Sequence, residues 1–453
     1  MPSAQENPGT GSSRIWKLKS GFDRRFRAGH PWVYSNELDQ SPKGITPGEA
    51  IELRDSAGKF LAFGFGNPGS LISFRTVSRI AEEKDALETA GILRRLDGAL
   101  SLRRDLGLSD SSFRLCFGES DHLPGLVIDR YRLVSHPAGT TQVLVIQAHT
   151  AGMDVRMDSI LAGLRELVDG NLRAADPEST WGRTAVVLRN DIGVRKLEGI
   201  STEGGGVIHR GDAGPDLRLN ECTIRVAAPE SDGFVQFKTD LAEGQKTGFF
   251  LDQSQNIELA GRQLRRWLKT LPKGSSKRIR ILDLCCYVGQ WGTRLAAAAR
   301  REGFDVEVVA VDASARALEF AKGNIEFTGA RCTVLQGDVL KDLVKLDQDS
   351  FDVVISDPPA LVKSRKDLGP GAHAYLQMNT QAMRVVKRGG WIVACSCSAQ
   401  LPEEDFAKAL VKAAMRNQKS VAWVARGGPG ADHPVRLEFP EGRYLKAWIG
   451  RID

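Results

Sequence analysis

The sequence predicts an α/β protein built from three successive folding units. Its 453 residues exceed what one ordinary hydrophobic core organises, so two or three domains are expected. Near the N-terminus short apolar runs alternate with glycine and proline, whereas strand and helix patterns alternate from about residue 229 onward. We therefore predict a disordered tail, a small β-barrel, a central α/β unit and a doubly wound sheet. Their predicted ranges are 1–13, 14–90, 91–228 and 229–453.

The composition is typical of a globular protein that does not enter a membrane. Charged residues make up 26% of the chain and hydrophobic residues 42%, and no apolar run approaches the roughly 18 residues needed to cross a bilayer. The polar start, MPSAQENPGTGSS, has no apolar segment of the signal-peptide type. Seven scattered cysteines show neither a CxxC pair nor zinc-ligand spacing, so neither a disulfide framework nor a metal site is predicted. We expect a cytoplasmic protein.

The first two units are predicted from turn residues and hydrophobic periodicity. In GEAIELRDSAGKFLAFGFGNPGSLISFRTVS, short strand-like runs are separated by turn formers, which is typical of a small barrel. Next, EKDALETAGILRRLDGALSLRRDL places apolar residues at helical spacing. Strand-like runs such as TQVLVIQAHT and a helical run, GMDVRMDSILAGLREL, follow it. This pattern predicts a compact α/β unit that ends near residue 228.

The last unit alternates strands with helices, which indicates a doubly wound parallel sheet. Five strands are predicted in RIRILDL, VEVVAVD, CTVLQGD, FDVVISD and WIVACSCS. We expect the helix at TQAMRVVKRGG to be closed by its glycines, and a further helix to open after Pro402 with acidic residues in its first turn. Two final strands, in SVAWVARG and YLKAWIGRI, complete the sheet.

Acidic residues stand at the ends of four successive strands of this unit. In such sheets ligands bind beyond the carboxyl ends of the strands, and packing alone would not place an acid at each of them. Asp312, after the second strand, is positioned to accept hydrogen bonds from two ribose hydroxyls, and Asp338, after the third, could accept one from an adenine amino group. The four acidic residues are Asp283, Asp312, Asp338 and Asp357.

The loop after the first strand, DLCCYVGQWG, carries two glycines three residues apart, so its backbone can approach a ligand closely. It lacks the GxGxxG fingerprint of dinucleotide-binding proteins. A nucleoside without a pyrophosphate fits this loop better than NAD, so S-adenosylmethionine (SAM) is the natural cofactor and a nicotinamide dehydrogenase is the least favoured function. In this loop, Cys285, Tyr287 and Gly289 are predicted to contact SAM.

The fifth strand ends on two cysteines, Cys395 and Cys397, which share one face of the strand. Such a pair could be buried and inert, or it could present a nucleophile. Carbon 5 of cytosine reacts poorly unless a thiolate adds to carbon 6, so a thiol beside the SAM methyl group points to cytosine-5 methylation. Asp357, fixed by the prolines of SDPPA, could hydrogen-bond or protonate ring nitrogen N3. Ala360 stands where enzymes that methylate base amines usually carry an aromatic residue, which argues against amine methylation.

Two other functions stay open on these residues. Guanine methylation on the same scaffold would need no thiol. A non-catalytic RNA-binding assembly factor would need no cofactor, and the intact series of acidic residues argues against it.

Clustered cations predict an RNA surface, although the net charge of +6 is modest. Six basic residues lie between 14 and 27 beside aromatic residues, eight lie between 262 and 280 with no acid, and a third cluster follows SDPPA. Such clusters are typical of surfaces that bind a polyanion, although a solvated face has the same composition. The residues predicted to contact RNA are Arg24, Arg25, Arg27, Lys363, Arg365 and Lys366.

Several longer motifs make the chain resemble a known family over nearly all of residues 14–453. They are GHPWVYSNEL, FGESDHLPGLVIDRY, KTGFFLDQ, DPPALVKSRK, SCS and ADHPVRLEFPEGRYLKAW. The chain resembles the bacterial large-subunit (23S) rRNA 5-methylcytosine methyltransferase family, of the large-subunit methyltransferase I type. The resemblance implies a PUA-like RNA-binding barrel, a central α/β domain and a Rossmann-like class I SAM-dependent methyltransferase domain. It also implies large-subunit rRNA as the partner and leaves a homodimer possible.

The resemblance also assigns roles to individual residues. The family's SCS cysteine falls on Cys397 rather than on Cys395, and the segment TGFFLDQ would help to enclose SAM. The residues of this segment that are expected to bind the cofactor are Phe249, Phe250, Asp252 and Gln253.

Two positions depart from the family pattern, and a third differs from other RNA 5-methylcytosine enzymes. Ser254 stands where an arginine is common, and Val288 stands where the family often has a threonine. Ala360 replaces the second cysteine that many other RNA 5-methylcytosine enzymes carry to assist product release. The base that removes the carbon-5 proton is therefore unassigned.

Overall fold

The computed structural model describes residues 14–136, 138–228, 233–271, 278–342 and 345–453. The predicted tail, 1–13, lies outside the described residues. In these ranges the strands are β1 (Arg14–Lys17), β2 (Trp32–Tyr34), β3 (Ala50–Arg54), β4 (Phe60–Gly66), β5 (Ile72–Ser78), β6 (Phe113–Phe117), β7 (Leu126–Arg132), β8 (Gln142–Ala148), β9 (Thr184–Leu188), β10 (Gly206–His209), β11 (Cys222–Ala228), β12 (Gly233–Thr239), β13 (Arg278–Leu284), β14 (Asp305–Asp312), β15 (Arg331–Gln336), β16 (Phe351–Ser356), β17 (Val386–Ser396), β18 (Val421–Gly427) and β19 (Lys446–Ile452).

The α-helices of the same ranges vary from single turns to five turns. They are α1 (Arg24–Arg27), α2 (Thr89–Asp105), α3 (Ala151–Asp154), α4 (Met157–Leu167), α5 (Arg173–Ala175), α6 (Val194–Leu197), α7 (Ser254–Leu268), α8 (Gln290–Arg301), α9 (Ala315–Glu326), α10 (Val339–Asp342), α11 (Leu368–Val385) and α12 (Glu403–Arg416). None of those described helices combines the length and the apolar character that a membrane crossing requires.

The N-terminal unit is a five-stranded sheet in the order β1-β3-β4-β5-β2. Strand β1 runs parallel to β3, and the other neighbours are antiparallel. Trp16, Phe26 and Phe74 fill its interior, each 2% exposed or less. Because these rings come from different elements, the short strands share one apolar core, and the β-rich unit predicted for this region is confirmed.

The central unit is a second five-stranded sheet, ordered β10-β9-β8-β7-β6, with α2 and α4 packed against it. A hairpin, β11 with β12, follows and is paired from Cys222↔Thr239 to Ala228↔Gly233. The amide of Asn324 in α9 exchanges hydrogen bonds with the backbone of Lys238 in β12, at 2.8 and 3.0 Å. This hairpin spans the predicted domain boundary at 228–229, and that boundary stays a prediction.

The C-terminal unit is a seven-stranded sheet in the order β15-β14-β13-β16-β17-β19-β18. Pairing is parallel from β15 to β17, whereas β19 is antiparallel to both of its neighbours. Helices lie on both faces, because two separate hydrophobic clusters cover the two sides of the strands. The predicted doubly wound, Rossmann-like sheet is confirmed, with one antiparallel strand that the alternation pattern could not reveal.

One predicted helix end is wrong. Helix α11 ends at Val385, before the glycines, and β17 begins at the next residue. Gly389 has φ +76°, and a Cβ on Gly390 would meet the carbonyl oxygen of Asp352 at 2.8 Å. The two glycines therefore permit a bulge inside a strand, where pairing to β16 shifts register.

The segment between β18 and β19 packs the three units against one another. Arg103 of α2 donates to both oxygens of Asp121, at 2.7 and 2.8 Å, and to the backbone oxygen of Asp432 at 2.7 Å. At the N-terminal unit, the His30 ring lies 3.3 Å from a carboxylate oxygen of Glu441. The same segment ends at β19 beside the cavity described next, so the contacts among the three units are made next to that cavity.

Candidate active site

A cavity of about 1010 Å³ lies beyond the carboxyl ends of β13, β14, β16 and β17. The strand order reverses here, because β14 and β16 lie on opposite sides of β13. Arg189 and Asp191, which follow β9 in the central unit, also line it. Among the residues predicted from sequence, those that line the cavity are Phe250, Asp252, Gln253, Cys285, Tyr287, Asp312, Asp338, Asp357 and Cys397.

The loop after β13 curls tightly around the end of β14. Cys285 and Tyr287 both adopt left-handed backbone conformations, with φ of 58° and 49°. The Tyr287 amide donates to one oxygen of Asp312 at 2.9 Å, and the Ser314 amide donates to the other at 2.9 Å. Each carboxylate oxygen keeps a second lone pair, so Asp312 is held in place and can still accept from a ligand.

Three residues predicted to bind the cofactor lie behind the cavity wall. Phe249 is 1% exposed and packs its ring 5.0 Å from that of Phe237. Gly289 directly precedes α8 and has φ +76°, and a Cβ there would come within 3.0 Å of Ala321. Asp283 is fully buried and accepts a hydrogen bond from the Gly292 amide at 2.8 Å. These residues shape the wall and do not face the space inside it.

Asp357 is held by two donors at the floor of the cavity. Gln253 Nε2 donates to both of its oxygens, at 3.0 and 2.9 Å, and Trp291 Nε1 donates to Oδ2 at 2.9 Å. Burial raises the pKa of Asp357 to about 6, although the Trp291 hydrogen bond lowers it. The group therefore changes its charge near neutral pH, as an acid–base residue must.

The two cysteines of β17 differ in their access to this cavity. Cys395 is fully buried in the core, whereas Cys397 lies just beyond the strand and lines the cavity. Cys397 Sγ lies 3.7 Å from the carbonyl oxygen of Pro358, the residue after Asp357. Burial raises the pKa of Cys397 to about 11, and the charge of Lys246 partly opposes that effect. The thiol that the resemblance selected is therefore the accessible one.

Sequence reasoning missed Lys246 and Tyr444, two residues of the cavity that contact Asp252. Lys246 Nζ lies 3.1 Å from Asp252 Oδ2, and the Tyr444 hydroxyl donates to the same oxygen at 2.6 Å. Lys246 Nζ also lies 4.4 Å from the centre of the Phe250 ring. Lys246 and Tyr444 both fall inside the motifs KTGFFLDQ and ADHPVRLEFPEGRYLKAW, so motif membership was the signal that could have found them.

The residues predicted to contact RNA fall into two sets. In α1, Arg25 pairs with Glu37 at 2.9 Å and Arg27 pairs with Asp55 at 2.6 Å, while Arg24 is exposed. The second set, Lys363 to Lys366, follows Leu361 of the cavity wall. Its three basic residues are exposed, and within the described residues they form no ion pair. The second set is therefore available to a ligand beside the cavity. In the separate 262–280 cluster, Lys273 and Lys277 lie outside the described residues.

Comparison with known proteins identifies the family. A PUA-like domain family matches residues 17–79, and a methyltransferase domain family matches residues 275–434. The ribosomal RNA large subunit methyltransferase I of Erwinia tasmaniensis is 30% identical over 442 residues, which cover 96% of this chain and 98% of that protein. The chain belongs to the ribosomal RNA large subunit methyltransferase I family. The proteins of the same name from Serratia proteamaculans and Yersinia pseudotuberculosis are each 29% identical over the same shares.

Two solved structures share the fold of this chain. A structure described as a SAM-dependent methyltransferase from Streptococcus mutans superposes with a TM-score of 0.68 at 16% identity, covering 96% of this chain and all of that one. A methyltransferase complexed with SAH superposes with a TM-score of 0.67, also at 16% identity, covering 97% of this chain and 99% of that one. This chain is a SAM-dependent methyltransferase, and its predicted PUA-like N-terminal unit is confirmed.

The cavity of this large subunit methyltransferase I family member fits SAM. Gln290, the first residue of α8, is buried and lines the cavity, and its amide nitrogen has no hydrogen-bond partner among the described residues. A buried donor of this kind is costly unless a ligand oxygen accepts from it. Asp312 and Asp338 stand at the ends of neighbouring strands and line the cavity with carboxyl groups, which are able to accept hydrogen bonds.

Proposed function

We propose that this protein forms 5-methylcytosine in large-subunit ribosomal RNA, with Cys397 as the nucleophile. The relatives are named for large subunit ribosomal RNA, and a PUA-like unit precedes the methyltransferase unit. One observation carries the choice of cytosine: an accessible thiol and a carboxyl group line a single cavity at the ends of adjacent strands, β17 and β16. Guanine methylation does not require a thiol nucleophile.

The side chains divide the chemistry between them. The sulfur of Cys397 adds to carbon 6 of a flipped-out cytosine, so its electron pair forms the S–C bond and the ring electrons move toward carbon 5. The carboxyl group of Asp357 hydrogen-bonds N3 and offsets the charge that develops on the ring. SAM, when bound, supplies an electrophilic methyl group for carbon 5. Water then takes the carbon-5 proton, the C–H electron pair re-forms the C5=C6 double bond, and the C–S bond breaks with its electrons returning to sulfur as the thiolate.

RNA would reach the cavity along the exposed cations next to it. Lys363, Arg365 and Lys366 follow the cavity wall directly and have no acidic partner within the described residues. Arg24 of the PUA-like unit offers a second, more distant contact, whereas Arg25 and Arg27 already hold acidic side chains. We place the RNA-contacting unit at 14–90, the central unit at 91–228 and the catalytic unit at 229–453, and a homodimer remains part of this proposal.

Mapping of ribosomal RNA tests the function directly. Bisulfite sequencing or mass spectrometry of large-subunit RNA is compared between cells with and without this protein. We expect one cytosine to lose its 5-methyl group, and a missing methyl group on guanine instead would overturn the proposal. In vitro, an RNA containing 5-fluorocytidine should form a covalent complex with the wild-type protein and SAM, because fluorine blocks loss of the group at carbon 5. Cys397→Ser should form none.

A further inference from the structure

The cavity presents its thiol in surroundings that disfavour the thiolate. Asp357 and Asp252 both lie near Cys397, and their charges together with burial raise the pKa of the thiol. A nucleophilic cysteine needs the opposite, because the anion is the reactive form. The residues that face Cys397 from the packed elements are Lys246, Asp252, Asp357, Tyr375, Cys395 and Lys446.

Two of these residues, Lys246 and Lys446, are cations, and they differ in burial. Lys446 is buried, and its ammonium group donates to the backbone oxygens of Ser398 at 2.8 Å and Tyr444 at 3.3 Å. It therefore ties β19 to the end of β17. Lys246 instead lies at the rim of the cavity with its side chain 42% exposed, so it can move when a ligand enters.

The backbone of Lys246 shows that its position is imposed by the fold. Its φ is +53°, a left-handed conformation that is strained for a non-glycine residue. The neighbouring Gly248 has φ +115°, and the Lys246 carbonyl oxygen lies 3.5 Å from Gln147 Nε2 of β8. Strain of this kind persists where surrounding structure holds it, often at functional sites. Here it directs the lysine across Phe250 toward Asp252.

We propose that Lys246 is a positioning residue whose ammonium group stabilises the thiolate of Cys397. The inference rests on the proposed function only in taking Cys397 as the nucleophile. When the thiol ionises, its proton passes to solvent water and the electron pair stays on sulfur, in the same cavity that Lys246 lines while paired with Asp252. Tyr444 donates to the same Asp252 oxygen and so fixes that carboxylate from the other side.

The test is the pH dependence of alkylation of Cys397 by iodoacetamide, with neither SAM nor RNA present. The rate is read at the Cys397 peptide by mass spectrometry between pH 6 and 10. We expect Lys246→Met to react about tenfold more slowly than wild type at pH 8, the change that one pKa unit produces. Lys246→Arg keeps the charge and should restore most of the rate. Lys196→Met, at an exposed lysine of α6, is the matched control.

A second variant is expected to change the alkylation rate of Cys397 in the opposite direction. Asp252→Asn removes a carboxylate that opposes the thiolate, so Cys397 should react faster than in wild type. The inference would be overturned if Lys246→Met left the alkylation rate of Cys397 unchanged at every pH. It would also be overturned if Lys246→Met and Lys246→Arg slowed alkylation equally. Loss of SAM affinity in Lys246→Met, with the thiol profile unmoved, would make Lys246 a cofactor ligand and also overturn it. Because no RNA is used, failure to find 5-methylcytosine would overturn the proposed function alone.

Discussion

Gln253 holds Asp357 by donating one amide nitrogen to both carboxylate oxygens, at 3.0 and 2.9 Å. The orientation of that amide is itself fixed, because Asn256 Nδ2 donates to Gln253 Oε1 at 2.7 Å. Asn256 also donates to the backbone oxygen of Gly428, which follows β18. The carboxyl group at the cavity floor is thus positioned through a chain of contacts that links the end of β16 to the residue after β18.

This arrangement predicts the pH dependence of catalysis. If kcat/KM requires protonated Asp357 and ionised Cys397, it should rise with pH up to about 6 and then flatten, since each further gain in thiolate is matched by a loss of protonated carboxyl. In Asp357→Asn the acid is absent, so the rise should continue above pH 6. At pH 7 we expect that variant to be slower by roughly 10²- to 10⁴-fold. Methyl transfer from labelled SAM gives the profiles, and parallel profiles would contradict the assignment.

The two cysteines of β17 provide a matched pair of substitutions. Cys397→Ser should abolish turnover while SAM binding, followed by calorimetry, is kept, because the proposed role of this cavity-lining thiol is to attack the base rather than to hold the cofactor. Cys395→Ser should keep turnover and lose stability, since it places a hydroxyl in a fully buried apolar position. Near-normal turnover in Cys397→Ser would favour guanine methylation. Loss of turnover in both variants would indicate that the substitutions act by disturbing the fold.

Asp283 should make stability depend on pH. Burial raises its pKa to about 8, so between about pH 4 and 8 the folded state holds a proton that the unfolded state releases. Stability therefore falls as pH rises through this window, by about 1.4 kcal/mol per pH unit from this group. Asp283→Asn cannot titrate and should show a shallower fall. Urea unfolding of both proteins at pH 5, 6 and 7 measures the difference, and equal slopes would exclude it.

Arg103 should be a large contributor to stability. It is fully buried, and it binds both oxygens of Asp121 and the backbone of Asp432. Removing one partner of a buried ion pair leaves an uncompensated charge, so Arg103→Met should lower the free energy of unfolding by about 3–5 kcal/mol. Arg104→Met is the control, because the adjacent side chain has no ion pair among the described residues. Equal thermal unfolding temperatures for Arg103→Met and Arg104→Met would refute this role of Arg103.

The cations beside the cavity should set the salt dependence of RNA binding. Replacing Lys363, Arg365 and Lys366 by alanine removes up to three phosphate contacts, so the slope of log Kd against log salt concentration should fall by roughly 2–3. Affinity for SAM should not change, because these side chains are exposed outside the cavity. Filter binding at several salt concentrations measures the slope. A change in affinity that is the same at every salt concentration would speak against phosphate contacts.

Much of the fold follows from local patterns. Period-2 and helical spacing predicted β13, β14, β15, β16 and β17 in order, because each apolar run must be buried on a sheet. The end of α11 was mispredicted, since Gly389 and Gly390 punctuate a strand bulge as readily as a helix end. Lys246 escaped notice because a lone lysine carries no periodic signal, and Arg189 because it reaches the cavity from another unit.

Spacing along one strand or loop is a local property, so the α/β class, the acidic residues at successive strand ends and the cysteine pair could all be predicted from the amino-acid order. Three features could be seen only in the folded protein: which thiol is accessible, which acidic residues line the cavity and which cation shares the cavity with the thiol. Those outcomes depend on side chains brought together from distant parts of the chain, as Gln253 and Asp357 are across 104 positions. Burial and electrostatic fields arise from that assembly, so no local pattern encodes them.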